Sequence, residues 1–497
     1  MARRLVVSCQ RQKRPLADCQ ASLIAYELDE ASTEAARDAV VRALLSLGIR
    51  KETAEQLAQC WVRSGDYLVE ASRLPAADFV IGNPPYIRLE DAPPEMATLY
   101  RNAYPTMRGR ADVYVAFFEA ALRQLTASGV CAYICADRWM LNQYGAELRR
   151  LVTGGYGVET VIEMHNARAF DDDVSAYPAI TVIRRGRQSR VVVASAGPTA
   201  ELADGSVLVS ALRSAADGLE AAKLPEGLTA AVVESWFSGA DPWPCQSPAR
   251  LALLRRLEEQ FEPLELESTG TKVGIGVATG LDKVFITRDA SLVEADRLVP
   301  LALAQDTVTG HFQWSGHYLV NPWNDHGLVD VRNFPKLRSY MEKHKTLIQK
   351  RNTAQRNPHG WYRTIDRVHL PLTKKPKLYI PDIKNCLNPV FDKGTTYPHH
   401  NLYFITSETW NLEVLGGLLL SAIGQFFVES YGVRMRGGYL RFQAQYLRRI
   451  RVPSPGAISP MQANRLIEAF QARDRQLATL VARDVYQVKE WEMQYAD

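Results

Sequence analysis

The sequence predicts an α/β domain with a mostly parallel sheet, followed by a mixed α+β domain, on three observations. Over residues 20–170, short apolar runs alternate with segments of helical periodicity, as in a sheet covered by helices. Beyond about residue 240 this rhythm gives way to short strands, proline-rich turns and isolated helices. The charge changes at the same place. Residues 1–239 hold 26 Lys+Arg against 29 Asp+Glu, and residues 240–497 hold 33 against 26. A near-neutral half beside a basic half predicts a chemistry domain beside one that meets a polyanion. With 46% hydrophobic and 23% charged residues, disordered, collagen-like and coiled-coil classes are excluded.

The elements follow in order. Leu23-Ile-Ala-Tyr reads as a short strand, and Ser32 to Leu47 as a helix ended by Gly48. Asp78-Phe-Val-Ile is a second strand that runs into Gly-Asn-Pro-Pro. Asp112 is placed to cap a helix from Val113 to Leu125, after which Gly129 precedes the strand Val130-Cys-Ala-Tyr-Ile-Cys. Val158-Glu-Thr-Val-Ile-Glu and Ala179-Ile-Thr-Val-Ile are further strands. The expected domains are 1–240, 241–455 and a helical segment 456–497 carrying Leu466, Phe470, Leu477, Leu480 and Val481. The longest apolar stretch, Val414 to Val428, falls short of the about 20 residues of a membrane helix and reads as a buried helix. Seven cysteines, with no C-x-x-C pair, fit reduced thiols better than disulfides or zinc. The expectation is a cytoplasmic protein with no membrane partner and no metal.

The sharpest chemical feature is Asn83-Pro84-Pro85-Tyr86 at the end of the Asp78 strand. Two prolines fix φ and lack N–H groups, so the corner is stiff. The carboxyl ends of parallel strands face the ligand crevice. Such a corner presents the Asn83 amide, the Pro84 carbonyl and an aromatic ring to a flat substrate. Two acceptors suit an amine attached to a planar ring, whose lone pair is delocalised until its two hydrogens are held. Tyr86 is placed to stack on that ring, a contact worth about 1–3 kcal/mol. Upstream, Glu27 lies just past a strand, where such sheets put an acid on ribose hydroxyls. Gly65-Asp66-Tyr67-Leu68 brings a second acid shortly before the Asp78 strand.

The order Glu27, Gly65-Asp66-Tyr67-Leu68 and Asp78-Phe-Val-Ile-Gly-Asn-Pro-Pro-Tyr resembles the gamma-class N6-adenine DNA methyltransferases of restriction–modification and phage-defence systems. The resemblance continues through Asp112-Val-Tyr-Val-Ala-Phe-Phe, Gly129-Val-Cys-Ala-Tyr-Ile and Tyr144-Gly-Ala-Glu-Leu-Arg. In the basic half it includes Val273-Gly-Ile-Gly-Val-Ala-Thr-Gly-Leu-Asp-Lys-Val-Phe-Ile, Trp361-Tyr-Arg-Thr-Ile-Asp-Arg and Gly437-Gly-Tyr-Leu-Arg-Phe-Gln. It implies a Rossmann-like methyltransferase sheet followed by a target-recognition domain. By position, Glu27 binds the ribose of S-adenosylmethionine, Asp66 its adenine amine, and Tyr67 completes that side. Asn83 and Pro84 hold the target N6, Pro85 belongs to the same catalytic motif, and Tyr86 stacks on the target ring. Phe170 matches the family's second aromatic loosely and reads equally as a core residue.

One family motif is missing. Nothing upstream of Leu23 contains the glycine-rich loop that lets the backbone approach the cofactor. Three explanations stand open: a longer natural N-terminus, a partner chain that supplies the strand and loop, or a degenerate relative. Gly274-Ile-Gly276-Val-Ala-Thr-Gly280 resembles such a loop, but the order of Glu27 and Asp66 before Asn83 favours a DNA-facing or structural role for it.

The nucleic-acid side rests on charge. Residues 332–384 carry 14 Lys+Arg and three acids, and residues 434–451 carry six arginines, no acid and interleaved aromatics. This pattern suits phosphate contacts with stacking. The candidate DNA contacts are Arg363, Arg367, Lys374, Lys375, Lys377, Arg434, Arg436, Tyr439 and Arg441. The leading expectation is methyl transfer to adenine N6 in double-stranded DNA after base flipping. The alternatives are a recognition subunit completed by another chain and a protein-glutamine methyltransferase. No Asp…Glu-x-Lys nuclease site is evident, so cleavage is assigned to a separate nuclease or defence subunit.

Overall fold

A computed structural model describes residues 1–165, 167, 177–199, 209–210, 224, 226–234, 236–432, 439–490 and 492. It divides into Met1–Pro242 and Trp243–Asp497.

In the first unit, α1 (Ala2–Arg11) leads to β1 (Ala25–Glu27). Helices α2 (Glu30–Leu45) and α3 (Lys51–Trp61) then connect β1 to β2 (Val62–Ser64). β1 and β2 pair in parallel as a sheet of their own, with Glu27 opposite Ser64. The Asp29 carboxylate starts α2 by accepting from the Ser32 N–H at 2.7 Å. Val6, Leu44, Leu57 and Trp61 form the core beneath these helices.

The main sheet has six strands. α4 (Tyr67–Glu70) precedes β3 (Ala77–Gly82). α5 (Pro94–Ala103) and α6 (Tyr114–Gln124) lead to β4 (Leu125–Ala136). α7 (Arg138–Leu141) and α8 (Ala146–Gly155) follow, then β5 (Tyr156–Glu163), β6 (Pro178–Arg185), β7 (Val191–Ala196) and β8 (Leu228–Val233). The spatial order is β3-β4-β6-β5-β7-β8. Only β3 with β4 and β5 with β7 are parallel; the other three pairings are antiparallel. The expected mostly parallel sheet is therefore mixed, because β6 returns antiparallel between β4 and β5. An apolar run such as Ala179–Ile183 signals burial and carries no information on direction.

α6 lies against this sheet with eight of its residues buried, and the Phe118 ring meets Tyr133 at 5.1 Å. Arg149 on α8 is buried. Its guanidinium donates to the carbonyls of Trp139, Asn142 and Ala240 at 2.5–3.0 Å. At the other end of the sheet, β3 pairs with β4 alone among the described strands. Its Phe79 and Ile81 side chains are 68% and 55% exposed. An apolar strand with a free edge and a bare face is a surface that ordinarily pairs or is covered.

In the second unit, α9 (Pro248–Gln260) precedes two four-stranded sheets. Their strands are β9 (Lys272–Ile275), β10 (Ile286–Thr287), β11 (Leu298–Ala302), β12 (Tyr318–Val320), β13 (Lys377–Pro381), β14 (Val390–Asp392), β15 (Tyr397–Pro398) and β16 (Leu402–Thr406). The orders are β9-β16-β13-β14 and β10-β12-β11-β15. The apolar run 414–428 is buried as expected, but it forms two helices, α10 (Leu412–Leu420) and α11 (Ala422–Tyr431), bent by 67°. Ser421 makes the break, because its hydroxyl caps α11 by accepting from the Gly424 N–H. No single helix among the described residues is long and apolar enough to cross a membrane. α12 (Pro460–Ala472) and α13 (Arg475–Tyr486) bring Leu466, Phe470 and Val481 into this same core.

α10 approaches α12 through Gly416 and Gly417. A Cβ on Gly417 would lie 2.5 Å from the Leu466 carbonyl oxygen. Helix propensity alone would make Gly417→Ala stabilising by about 1 kcal/mol. The overlap with backbone outweighs it, and the expected net loss is about 1–3 kcal/mol. Thermal melting of the variant decides between them; a raised melting temperature would sink the packing argument.

Candidate active site

Asn83, Pro84, Pro85 and Tyr86 follow directly on the last residue of β3. Asn83 is exposed, Pro84 is buried, and Tyr86 is half-buried. Burial raises the Tyr86 phenol above its ordinary range, with Cys135 adding to the effect, so it is a neutral ring at physiological pH. The chain beyond the corner is clamped: the Val113 N–H donates to the Ile87 carbonyl at 2.8 Å, and Leu89 N–H to Ala111 at 3.2 Å. The corner thus stands between the β4 ladder and the start of α6.

Glu27 ends β1, and its Oε1 accepts from the Leu28 and Asp29 N–H groups at 2.9 and 3.3 Å. Those bonds orient the carboxylate and leave Oε2 for another donor. Gly65 closes the turn after β2 with φ +145 and its N–H on the Glu27 carbonyl, and a Cβ there would lie 3.6 Å from the Tyr26 ring. Asp66 follows, with Oδ1 accepting from Leu68 N–H at 2.8 Å and Oδ2 from the Tyr100 hydroxyl at 2.6 Å. Tyr100 lies on α5, beyond the Asn83 corner, so α5 links the two motifs. Each carboxylate oxygen retains a second lone pair for a further donor. Tyr67 stacks on Phe117 at 5.5 Å and donates to Gln124 Oε1 at 3.0 Å, which packs α4 against α6. Glu27 and Asp66 therefore stand at the carboxyl ends of adjacent parallel strands. Phe170 lies outside the described residues.

Sequence reasoning missed a polar cluster at the carboxyl ends of β4 and β5. His165 Nε2 is 2.7 Å from Asp137 Oδ2, and Nδ1 is 2.9 Å from Glu163 Oε1. Ser195 donates to the other Glu163 oxygen at 2.6 Å. Burial disfavours charge on the imidazole, but the two carboxylates outweigh it and lift His165 to about 10. The Tyr177 ring packs edge-on against His165 at 5.0 Å, with Arg138 over its other side at 5.4 Å. The spacing Glu163-Met-His165 after an apolar strand was the available signal.

In the second unit, Lys374, Lys375, Arg367 and Tyr439 are exposed. Arg363 is half-buried, 5.2 Å over the Trp323 ring, and Arg441 is ion-paired with Asp382. Arg434 and Arg436 lie outside the described residues. Lys377 is a correction. It is fully buried on β13, with its ammonium on Asp392 at 3.0 Å and the Thr396 carbonyl at 3.1 Å, so it cannot reach a phosphate. The Gly274–Gly280 segment is structural. Three of its N–H groups are already used: Gly276 on Leu402 O, Val277 on Pro398 O, and Ala278 on Asp366. A Cβ on Gly274 would strike the Phe404 ring, and one on Gly276 the His399 carbonyl. Beside it, Asp282, His399 and His400 bring one ligand atom each within 4.8 Å of one another.

Residues 74–170 match the Eco57I restriction-modification methylase family, and residues 332–452 match the TaqI-like C-terminal specificity domain. The Type II methyltransferase M.PaeR7I of Pseudomonas aeruginosa is 42% identical over 477 residues, covering 95% of this chain and 81% of that protein. M.XhoI of Xanthomonas vasicola is 40% identical over 471 residues, covering 94% and 85%. Among solved structures, the Type IIL restriction-modification enzyme MmeI in complex with DNA aligns with a TM-score of 0.54. That alignment covers 100% of this chain and 75% of MmeI at 12% identity, a likeness of fold.

Two measurements follow from this geometry. An unfolded imidazole titrates near 6.5, whereas folded His165 holds its proton to about 10. Its contribution to stability is full below about pH 6.5 and is lost as pH rises through 10. The melting-temperature gap between wild type and His165→Gln should shrink from pH 6 to pH 10; a constant gap contradicts the clamp. Lys377→Met strands a buried Asp392 carboxylate, and about 3–5 kcal/mol of stability is expected to be lost. An unchanged melting curve for Lys377→Met would refute the buried pair.

Proposed function

This chain belongs to the gamma-class Type II DNA methyltransferases of restriction–modification systems, and from that premise we propose that it methylates the N6 amine of adenine in double-stranded DNA. A protein-glutamine methyltransferase is thereby set aside. What carries the adenine reading is the rigid corner, with Asn83 and Pro84 at the carboxyl end of β3 and the half-buried Tyr86 ring beside them. The Asn83 side-chain oxygen and the Pro84 carbonyl accept the two N6 hydrogens. That draws the nitrogen lone pair out of the ring, while Tyr86 holds the ring by its face. A flipped base fits this demand, since the amine is paired inside the duplex.

The donor set suits S-adenosylmethionine. Two carboxylates at adjacent strand ends, each oriented by backbone N–H groups, match a ribose diol and an adenine amine. The cofactor supplies the electrophilic methyl group when bound. Glu27 holds its ribose and Asp66 its adenine amine, with Oδ2 shared with Tyr100. The nitrogen that gains the methyl group loses one proton to water. No side-chain base is required, because the product amine is neutral.

The exposed Phe79 and Ile81 on the free side of β3 favour an addition to this reading. A strand followed by a glycine-rich loop, from further residues of the same protein or from a partner chain, completes the sheet there. Duplex DNA in the cytoplasm is the substrate. The sequence-choosing contacts come from Arg363, Arg367, Lys374, Lys375, Tyr439 and Arg441, joined by Arg434 and Arg436.

The deciding experiment is transfer of labelled methyl groups to genomic DNA, digestion to nucleosides and chromatography. N6-methyladenine is the expected product. Asn83→Ala should lower the rate by at least about 100-fold, the scale of losing one positioned hydrogen-bonding group, with DNA affinity kept. Label on a cytosine, or full activity in Asn83→Ala, would defeat the adenine mechanism.

A further inference from the structure

Four arginines, Arg88, Arg101, Arg110 and Arg138, line one cleft of about 300 Å³ in the catalytic unit. The acids in its wall are Glu90 and Asp112, so cations outnumber anions four to two. Arg88, Arg101 and Arg110 are exposed. Among the described residues none of the four forms an ion pair. Arg101 donates to the Gly109 carbonyl at 3.2 Å, and Arg138 lies over Tyr177. The Arg138 Nε is buried without a hydrogen-bond partner among those residues.

The cleft opens at the active end of the sheet. Arg88 is two residues past Tyr86, on the segment clamped to 111–113, where its backbone pairs antiparallel with that of Asp112. Arg138 is two residues past the end of β4. Four guanidiniums held together repel one another unless an anion joins them. Their forked N–H groups match phosphate oxygens.

We infer that this cleft binds backbone phosphates of the DNA strand that carries the target nucleotide. The inference rests on the reading of the Asn83 corner as the site of a flipped base. A flipped base stays tethered by its own phosphates, so a pocket for the base needs an anion site within a nucleotide's reach. DNA contact is thereby not confined to the specificity domain. The catalytic unit carries its own phosphate grip, which positions the strand without reading its sequence. The other anion such a cleft could take is the carboxylate of the cofactor's amino-acid part, and the test separates the two.

The probe is a labelled mixed-sequence duplex of about 30 base pairs, titrated with the full chain by fluorescence anisotropy between about 50 and 200 mM salt. Arg101→Gln combined with Arg110→Gln should make the slope of log affinity against log salt shallower by about two, one per lost phosphate contact. Arg101→Lys combined with Arg110→Lys keeps the charge and should keep most of that slope. Circular dichroism and melting confirm that both variants fold. S-adenosylmethionine binding, followed by calorimetry, should not change. An unchanged salt slope in the folded Gln variant overturns the inference. So does loss of cofactor affinity with an intact slope, which would assign the cleft to the carboxylate. The function reading fails separately: a slope that falls as expected in a protein whose methyl product is not N6-methyladenine supports the phosphate site and removes the adenine assignment.

Discussion

At Gly82 the hydrogen-bonded ladder of β3 stops, and the next three residues cannot resume it. Pro84 and Pro85 have no N–H to donate, and their φ angles are fixed by their rings. The chain is caught again only at Ile87 and Leu89, which bond to Val113 and Ala111 at the head of α6. α6 in turn is held by burial on the sheet. The corner is thus pinned at both ends by backbone hydrogen bonds and cannot relax in its middle. Asn83 is presented outward by this clamp, and the surrounding groups are placed relative to it. Tyr100 reaches back from α5 to Asp66, and Arg88 and Asp112 meet across the clamped segment.

The same economy governs the buried charges. Three carbonyls accept from the Arg149 guanidinium and tie α8 to the loops beside it. Arg351 in the second unit does likewise with the carbonyls of Thr279, Trp361 and Arg363. Burial lowers its basicity, yet a guanidinium stays charged. Lys377 instead needs a carboxylate, because an ammonium desolvated alone would give up its proton. A count of basic residues therefore overstates the surface available to DNA. Some of the cations are internal fasteners, and Arg441 is already matched by Asp382. The unpaired ones, among them the four around Asp112, are where an external anion has most to offer.

Local patterns made much of the chain legible. The strand into Asn83-Pro84-Pro85-Tyr86 and the helix after Val113 depend on residues close in sequence, and both are found in place, but Asp112 does not cap that helix: its carboxylate accepts from the Tyr144 hydroxyl instead. The apolar run 414–428 is buried as its composition requires, but its break at Ser421 was not read. A single hydroxyl capping the second helix outweighed the apolar run on either side of it. Lys377 misled because charge in a basic stretch resembles a surface signal. Only its place at the head of the apolar run Leu378 to Ile380 hinted otherwise, and all five residues of β13 are buried. The glycines of 274–280, which resemble a cofactor loop, take the structural role that the order of Glu27 and Asp66 before Asn83 favoured. They serve close packing against Phe404 and His399, with their amides spent on neighbouring strands.

What the sequence determined by itself was which polar residues stand at the strand ends. Glu27 ends a strand, Asp66 and Asn83 each follow a strand by one or two residues, and the position of an end is local information. What only the tertiary structure decided was direction and company. Strand polarity in the main sheet, the Asp137–His165–Glu163 clamp and the four-arginine cleft all join residues far apart in the chain. No short-range pattern records such meetings. They arise when burial of Phe118, Tyr133 and Trp139 forces the strands and helices that carry those side chains into one sheet.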